Sequence, residues 1–112
     1  MKGFLLRIGI DYFKEINDNS GMEYGDFILR ETAACISGCL SEKQRAYKLM
    51  GDEFLILDVT TDDKKEADKL FTKIKDSIDE FIEENDFEVL FTISGGSLSL
   101  HSSENIEYSN VM

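Results

Sequence analysis

Apolar and polar positions change their period several times along the chain, and the changes mark out six elements. "GFLLRIGI", Gly3 to Ile10, is a short apolar run rich in branched residues with no helical period, which predicts a buried strand. Asp11 opens a turn of helix through Ile16, and "NDNSG", Asn17 to Gly21, carries loop chemistry. From Glu23 onward Tyr24, Phe27, Ile28, Ala34, Cys35, Ile36 and Cys39 recur at three- and four-residue spacing, which predicts an amphipathic helix to about Leu40. "SEKQR" then turns the chain. Tyr47–Leu49 and Phe54–Val59 are apolar runs with Met50, Gly51, Asp52 and Glu53 between them, a hairpin signal. Asp62–Glu84 carries Ala67, Leu70, Phe71, Ile74, Ile78, Phe81 and Ile82 on one stripe, with N-cap candidates in Thr60 to Asp63. Glu88 to Leu100 alternates loosely as a last strand, with Gly95-Gly96 read as a bulge or bend.

Strand, helix, strand, strand, helix, strand is the order of a ferredoxin-like split βαβ domain (βαββαβ). This is an α+β fold, an antiparallel sheet with its helices on one face. The chain has no proline, no long-period repeat and no linker-like tract, so residues 1–112 read as one domain. In this topology the first strand and the hairpin lie side by side. The end of "LLRIGID" and the tip of "MGDEF" therefore approach one another.

Charge narrows the partners. Lys and Arg number 12 against 23 Asp and Glu, a net charge of −11, which repels polyanions and argues against nucleic-acid binding. A nucleotide would need a local site. No apolar stretch approaches the roughly 18 residues of a bilayer span, and the amino terminus lacks a secretion signal. A cytoplasmic protein, or part of a larger membrane-anchored one with no membrane contact of its own, is expected. Cys35 and Cys39 stand four apart on a predicted helix without other metal-ligand partners and read as small buried hydrophobes. His101, in "LHSSEN" past the last strand, reads as a solvated loop residue, and Asp79 to Glu88 as a solvated helix end.

The candidate chemistry lies at the hairpin tip. Carboxylates facing each other across a small gap are unfavourable unless a cation fills it, and magnesium prefers one or two carboxylates plus substrate phosphates. A nucleotide-triphosphate site is one reading of Asp52-Glu53; an exposed acidic turn is the other.

Two motifs then carry a family resemblance. "DYFKEINDNSGMEYGD", Asp11 to Asp26, followed after a helix by "MGDEF", Met50 to Phe54, resembles the GGDEF family of diguanylate cyclases, which join two GTP molecules into cyclic di-GMP. The resemblance runs from the first strand to "FTISGGSLSL" and implies a nucleotide-cyclase fold, GTP as ligand, magnesium as cofactor and a site shared across a homodimer. On this resemblance Asn17 and Asp26 would read the guanine edge and Leu29 would line the base pocket. Phe13 and Lys14 would meet the phosphates through backbone amides and an ammonium. Asp52 would be a metal ligand and Glu53 would shape the catalytic site. Asn17 and Asp26 are equally explicable as caps, and Phe13 as core.

Several positions depart from the family pattern. Where the family's first strand has a metal-binding aspartate this chain has Gly9, leaving Asp11, two residues on, as the candidate second ligand beside Asp52. Met50 replaces the first signature glycine, with a backbone penalty if it must adopt positive φ. Met22 stands for a histidine, and Lys48, which the resemblance places among the nucleotide-binding residues, for an arginine whose bidentate fork a lysine does not reproduce although the positive charge that suits phosphates survives. The feedback motif would fall on Ser41 and Gln44, which do not match, and Arg45 does not restore the spacing. The family's segments before the first strand and after the last are missing, so the chain reads as truncated at both ends.

Three functions follow. The favoured one is a catalytically inactive, regulatory or GTP-binding module beside a sensor or cyclic di-GMP phosphodiesterase domain in a bacterial signalling protein. The alternatives are an active diguanylate cyclase with Asp11 and Asp52 around magnesium, and an unrelated ferredoxin-like interaction domain.

Overall fold

The computed structural model describes residues 2–85 and 91–101. Seven elements follow one another: β1 (Lys2–Ile10), α1 (Phe13–Ser20), α2 (Met22–Cys39), β2 (Gln44–Lys48), β3 (Glu53–Asp58), α3 (Lys64–Asn85) and β4 (Ile93–His101). The four strands form one antiparallel sheet in the order β2-β3-β1-β4, the expected split βαβ fold. Strand β3, not β2, is the neighbour that β1 gains from the hairpin, so the crossover through α1 and α2 leads to the edge of the sheet.

Alternation along β1 decides the layers. Phe4, Leu6, Ile8 and Ile10 are buried on one face, where Ile16, Ile28, Ile36, Ala67, Leu70, Ile74 and Ile78 of the three helices join them in a single core. The other face of β1 carries Leu5, Arg7 and Gly9. In β3, Phe54, Ile56 and Asp58 point inward while Glu53, Leu55 and Leu57 point outward.

Local differences from the sequence reading have physical causes. "NDNSG" is not a loop: α1 continues through Ser20, anchored by buried Ile16, and the break comes at Gly21, whose φ of 90° ends the helix. Strand β2 starts at Gln44 because it is an exposed edge strand, and its polar residues carry no burial pattern. Strand β4 runs through His101, which pairs with Lys2, and shows no bulge at the glycines, since Ile8 pairs with Gly95 and Arg7 with Gly96 in unbroken register. The start proposed at Glu88 lies outside the described residues.

Gly95 is small because α3 leans on it. A Cβ there would lie 2.7 Å from Phe71 Cε1 and 2.9 Å from the Arg7 carbonyl oxygen. The cysteines are free. Cys39 is buried and Cys35 packs against the core, where burial pushes its thiol pKa up. That suppresses the reactive thiolate.

At the sheet end where β3 gives way to α3, Asp58 is buried and bonded. It accepts hydrogen bonds from the Thr60 amide at 2.7 Å, the Thr60 hydroxyl at 2.6 Å and Gln44 Nε2 at 3.0 Å. Burial alone raises its pKa, but the Thr60 and Gln44 bonds outweigh burial and hold it below the usual carboxylate value. A lowered folded-state pKa adds stability above the unfolded value, near ~3.9, and that stability is lost as pH falls through the folded value. Asp58→Asn should therefore cost about 1–3 kcal/mol near neutral pH. The gap between the two proteins in urea unfolding should close on acidification. Gly95→Val should cost about 1–3 kcal/mol in the same measurement, through overpacking against Phe71.

Candidate functional site

Where β1 ends, β3 begins and β4 enters, the sheet face turned away from the helices forms an open groove of about 860 Å³. Its floor includes Leu5, Leu55, Gly96 and Leu98, and its acidic end holds Gly9, Asp11, Asp52 and Glu53. The register places Gly9 directly across from Glu53, and Ile10 donates its amide to the Asp52 carbonyl at 3.3 Å. A Cβ on residue 9 would lie 3.7 Å from Glu53 Cγ and 3.9 Å from Asp52 Oδ2, ordinary contact distances. The expected juxtaposition of strand end and hairpin tip is therefore present, with glycine at its centre.

The hairpin tip is held from inside. Gly51 takes the positive φ, 73°, so Met50 carries no such penalty; its side chain is 93% exposed. Lys48 donates to the carbonyl of Leu49 at 2.7 Å and to that of Gly51, with its ammonium 5.5 Å from the centre of the Phe54 ring. That ammonium is committed to the turn rather than to the groove.

Asp11 lines the same groove but is held from its β4 side. Its carboxylate accepts a hydrogen bond from Thr92 Oγ1 at 2.7 Å and from Ser94 Oγ at 2.7 Å, and its amide donates to the Thr92 carbonyl at 2.9 Å. These partners belong to the β4 side of β1, whereas Asp52 stands on the β3 side. Strand neighbours sit about 4.8 Å apart. An ion about 2.1 Å from each donor would have to bridge the two sides across β1.

The expected base-contact residues form a separate group. Phe13 and Asn17 of α1 meet at Gly25 of α2: a Cβ on residue 25 would lie 1.7 Å from Asn17 Oδ1 and 3.3 Å from Phe13 Cζ. Asp26 follows Gly25 on the exposed side of α2, and Leu29, one turn on, packs against the core. Lys14 is exposed. Tyr12, before α1, adopts a left-handed conformation (φ 56°, ψ 33°), and no side chain caps the helix. The first-turn amides at Phe13 and Lys14 therefore keep the donor character of a helix start. Of these residues only Tyr12 also lines the groove.

The sequence reading did not weigh Arg7. It donates through Nε to Glu53 Oε1 at 2.9 Å and also through Nη2 to the same oxygen. A charge inside the apolar run "GFLLRIGI", on the same strand face as Gly9, was the available signal. Thr92, Ser94 and Gly25 were missed as well, because their roles depend on contacts that spacing does not show.

The comparisons with known proteins agree with this geometry. Residues 2–112 match the family described as "Diguanylate cyclase, GGDEF domain", and the chain belongs to that family, whose domains serve cyclic di-GMP signalling. Diguanylate cyclase A of Treponema denticola is 40% identical over 53 residues, covering 47% of this chain and 14% of that protein. The cyclic di-GMP phosphodiesterase PdeR of Escherichia coli is 40% identical over 50 residues, 45% of this chain and 8% of that protein. Among solved structures, the active GGEEF domain of a diguanylate cyclase from Vibrio cholerae superposes with a TM-score of 0.78 at 26% identity, covering 98% of this chain and 69% of that one. The GGDEF domain of YfiN from Pseudomonas aeruginosa gives 0.76 at 28% identity, with 88% and 62% covered. The chain thus spans only a small part of these curated relatives. No helix among the described residues is long and apolar enough to cross a membrane.

Magnesium, the cofactor the family resemblance implies, does not fit the donors present. Residue 9 offers no side-chain oxygen, Glu53 is engaged by Arg7, and Asp11 is held toward β4. Among the described residues no group of three His, Cys, Asp or Glu side chains gathers to hold a metal.

Because Asn17 rests directly on Gly25, Gly25→Ala should displace the Asn17 amide. A large shift of its side-chain NH₂ resonances in an ¹H–¹⁵N spectrum is expected, with a stability loss of about 1–3 kcal/mol. An unmoved Asn17 signal would contradict the contact.

Proposed function

We propose that this GGDEF domain is a degenerate member that holds GTP as a regulatory ligand and does not form cyclic di-GMP. One observation carries the reading: the register brings residue 9 to within contact of Asp52 and Glu53, where a second carboxylate could share a cation, and that residue is glycine. Metal-assisted phosphoryl chemistry needs the ion held in a fixed geometry, and Asp52 alone does not supply that.

Nucleotide binding is supported by a different set of residues. The Asn17 amide offers both a donor and an acceptor, and the Asp26 carboxylate accepts paired N–H groups such as those on a guanine edge. The uncapped start of α1, at Phe13 and Lys14, suits phosphate oxygens. With a net charge of −11 the domain has no attractive long-range field for GTP, so affinity rests on these local donors. In this reading the domain works in the cytoplasm, next to a sensor or phosphodiesterase domain of a longer protein. The similarity to PdeR, a protein named for phosphodiesterase activity, supports that setting.

Incubation with GTP and magnesium or manganese, followed by chromatography, should yield no cyclic di-GMP; steady product formation would sink the inactive reading. Titration calorimetry should record heat with GTP, and Asn17→Ala and Asp26→Ala should each weaken binding by about tenfold or more. Binding that survives both replacements would refute the guanine assignment.

A further inference from the structure

We propose that Arg7 is the built-in counter-ion of this site. Its guanidinium takes the position of charge partner that a divalent ion would otherwise hold, so the acidic end of the groove has no cation affinity of its own. The inference rests on the reading above only for the choice of site; its chemistry stands on β1 and β3.

Alternation puts Arg7 and Gly9 on the same face of β1, and the register sets Arg7 across from Leu55 and Gly9 across from Glu53. Glu53 is therefore the diagonal neighbour of Arg7, within reach of a long side chain. Two guanidinium nitrogens converge on Glu53 Oε1, one of them at 2.9 Å. The planar guanidinium fork matches the geometry of a carboxylate partner.

The charge count shows the consequence. Asp52 and Glu53 carry two negative charges, Arg7 removes one, and Gly9 adds none, leaving the cluster at −1. A site with a carboxylate at residue 9 and no arginine would stand at −3. Divalent affinity rises with the number of carboxylates free to approach the ion. An ion approaching Glu53 would have to do so beside the Arg7 guanidinium, a like charge that already holds Oε1. Magnesium, which gives up its water reluctantly, has little to gain here. Asp11 adds its own negative charge to the groove, but Thr92 and Ser94 hold its carboxylate on the β4 side of β1, away from the Arg7–Glu53 pair.

The test needs no nucleotide, so its outcome is independent of whether the domain takes GTP. Manganese is titrated into the protein and free ion is read from its electron paramagnetic resonance signal. The chain as it stands should leave that signal undiminished, with any dissociation constant weaker than about 1 mM. Gly9→Asp should bind manganese measurably, and Gly9→Asp combined with Arg7→Met should bind at least about tenfold more tightly than Gly9→Asp alone. Gly9→Asp with Arg7→Lys, which keeps the charge, should resemble Gly9→Asp alone. Thermal unfolding checks that each variant folds, and Arg7→Gln serves as the neutral replacement if Arg7→Met does not. One-to-one manganese binding by the unaltered chain below millimolar concentration would overturn the proposal, as would equal affinity of Gly9→Asp with and without Arg7.

Discussion

Everything in this domain depends on β1 being a central strand whose two faces have different tasks. Its edges are filled by β3 and β4, and its inner side chains, Phe4, Leu6, Ile8 and Ile10, anchor the core against three helices. A slip of one residue would exchange the faces and bring Arg7 and Gly9 into the core. The burial that seals the fold therefore also fixes which residues meet at the groove's acidic end. The site's geometry is a by-product of core packing, and its chemistry is decided by the two outward residues, Arg7 and Gly9.

The legible parts of the sequence were those governed by period and topology. The stripe on α3 and the run in β1 are long and regular, so both elements were readable. Because topology implies which strands touch, the approach of Gly9 to Asp52-Glu53 followed before any coordinates. Features set by one particular contact were not readable. Asp11 is bonded to hydroxyls 81 and 83 residues away, and spacing carries no trace of that. Gly95 and Gly96 suggest a bulge in isolation, yet Gly95 is needed because Phe71 of α3 lies on it. "NDNSG" has loop composition, but buried Ile16 and the late break at Gly21 keep its first four residues helical. Lys48 looked available for phosphates until its ammonium proved to bind the turn that it precedes.

The two outward residues of β1, Arg7 and Gly9, are best understood together. A cluster of three carboxylates at one end of the sheet repels itself unless an ion is present, and the chain as a whole already carries −11. Glycine in place of one carboxylate removes one of the three negative charges, and Arg7 offsets a second, leaving −1. Stability does not explain Arg7, because Arg7 and Glu53 are 52% and 33% exposed and such pairs contribute only about 0–1 kcal/mol. Nor does packing require glycine at residue 9, since a Cβ there would meet its neighbours at ordinary contact distance. What the pair changes is the electrostatic demand of the site, which is met from within the protein instead of by a bound ion.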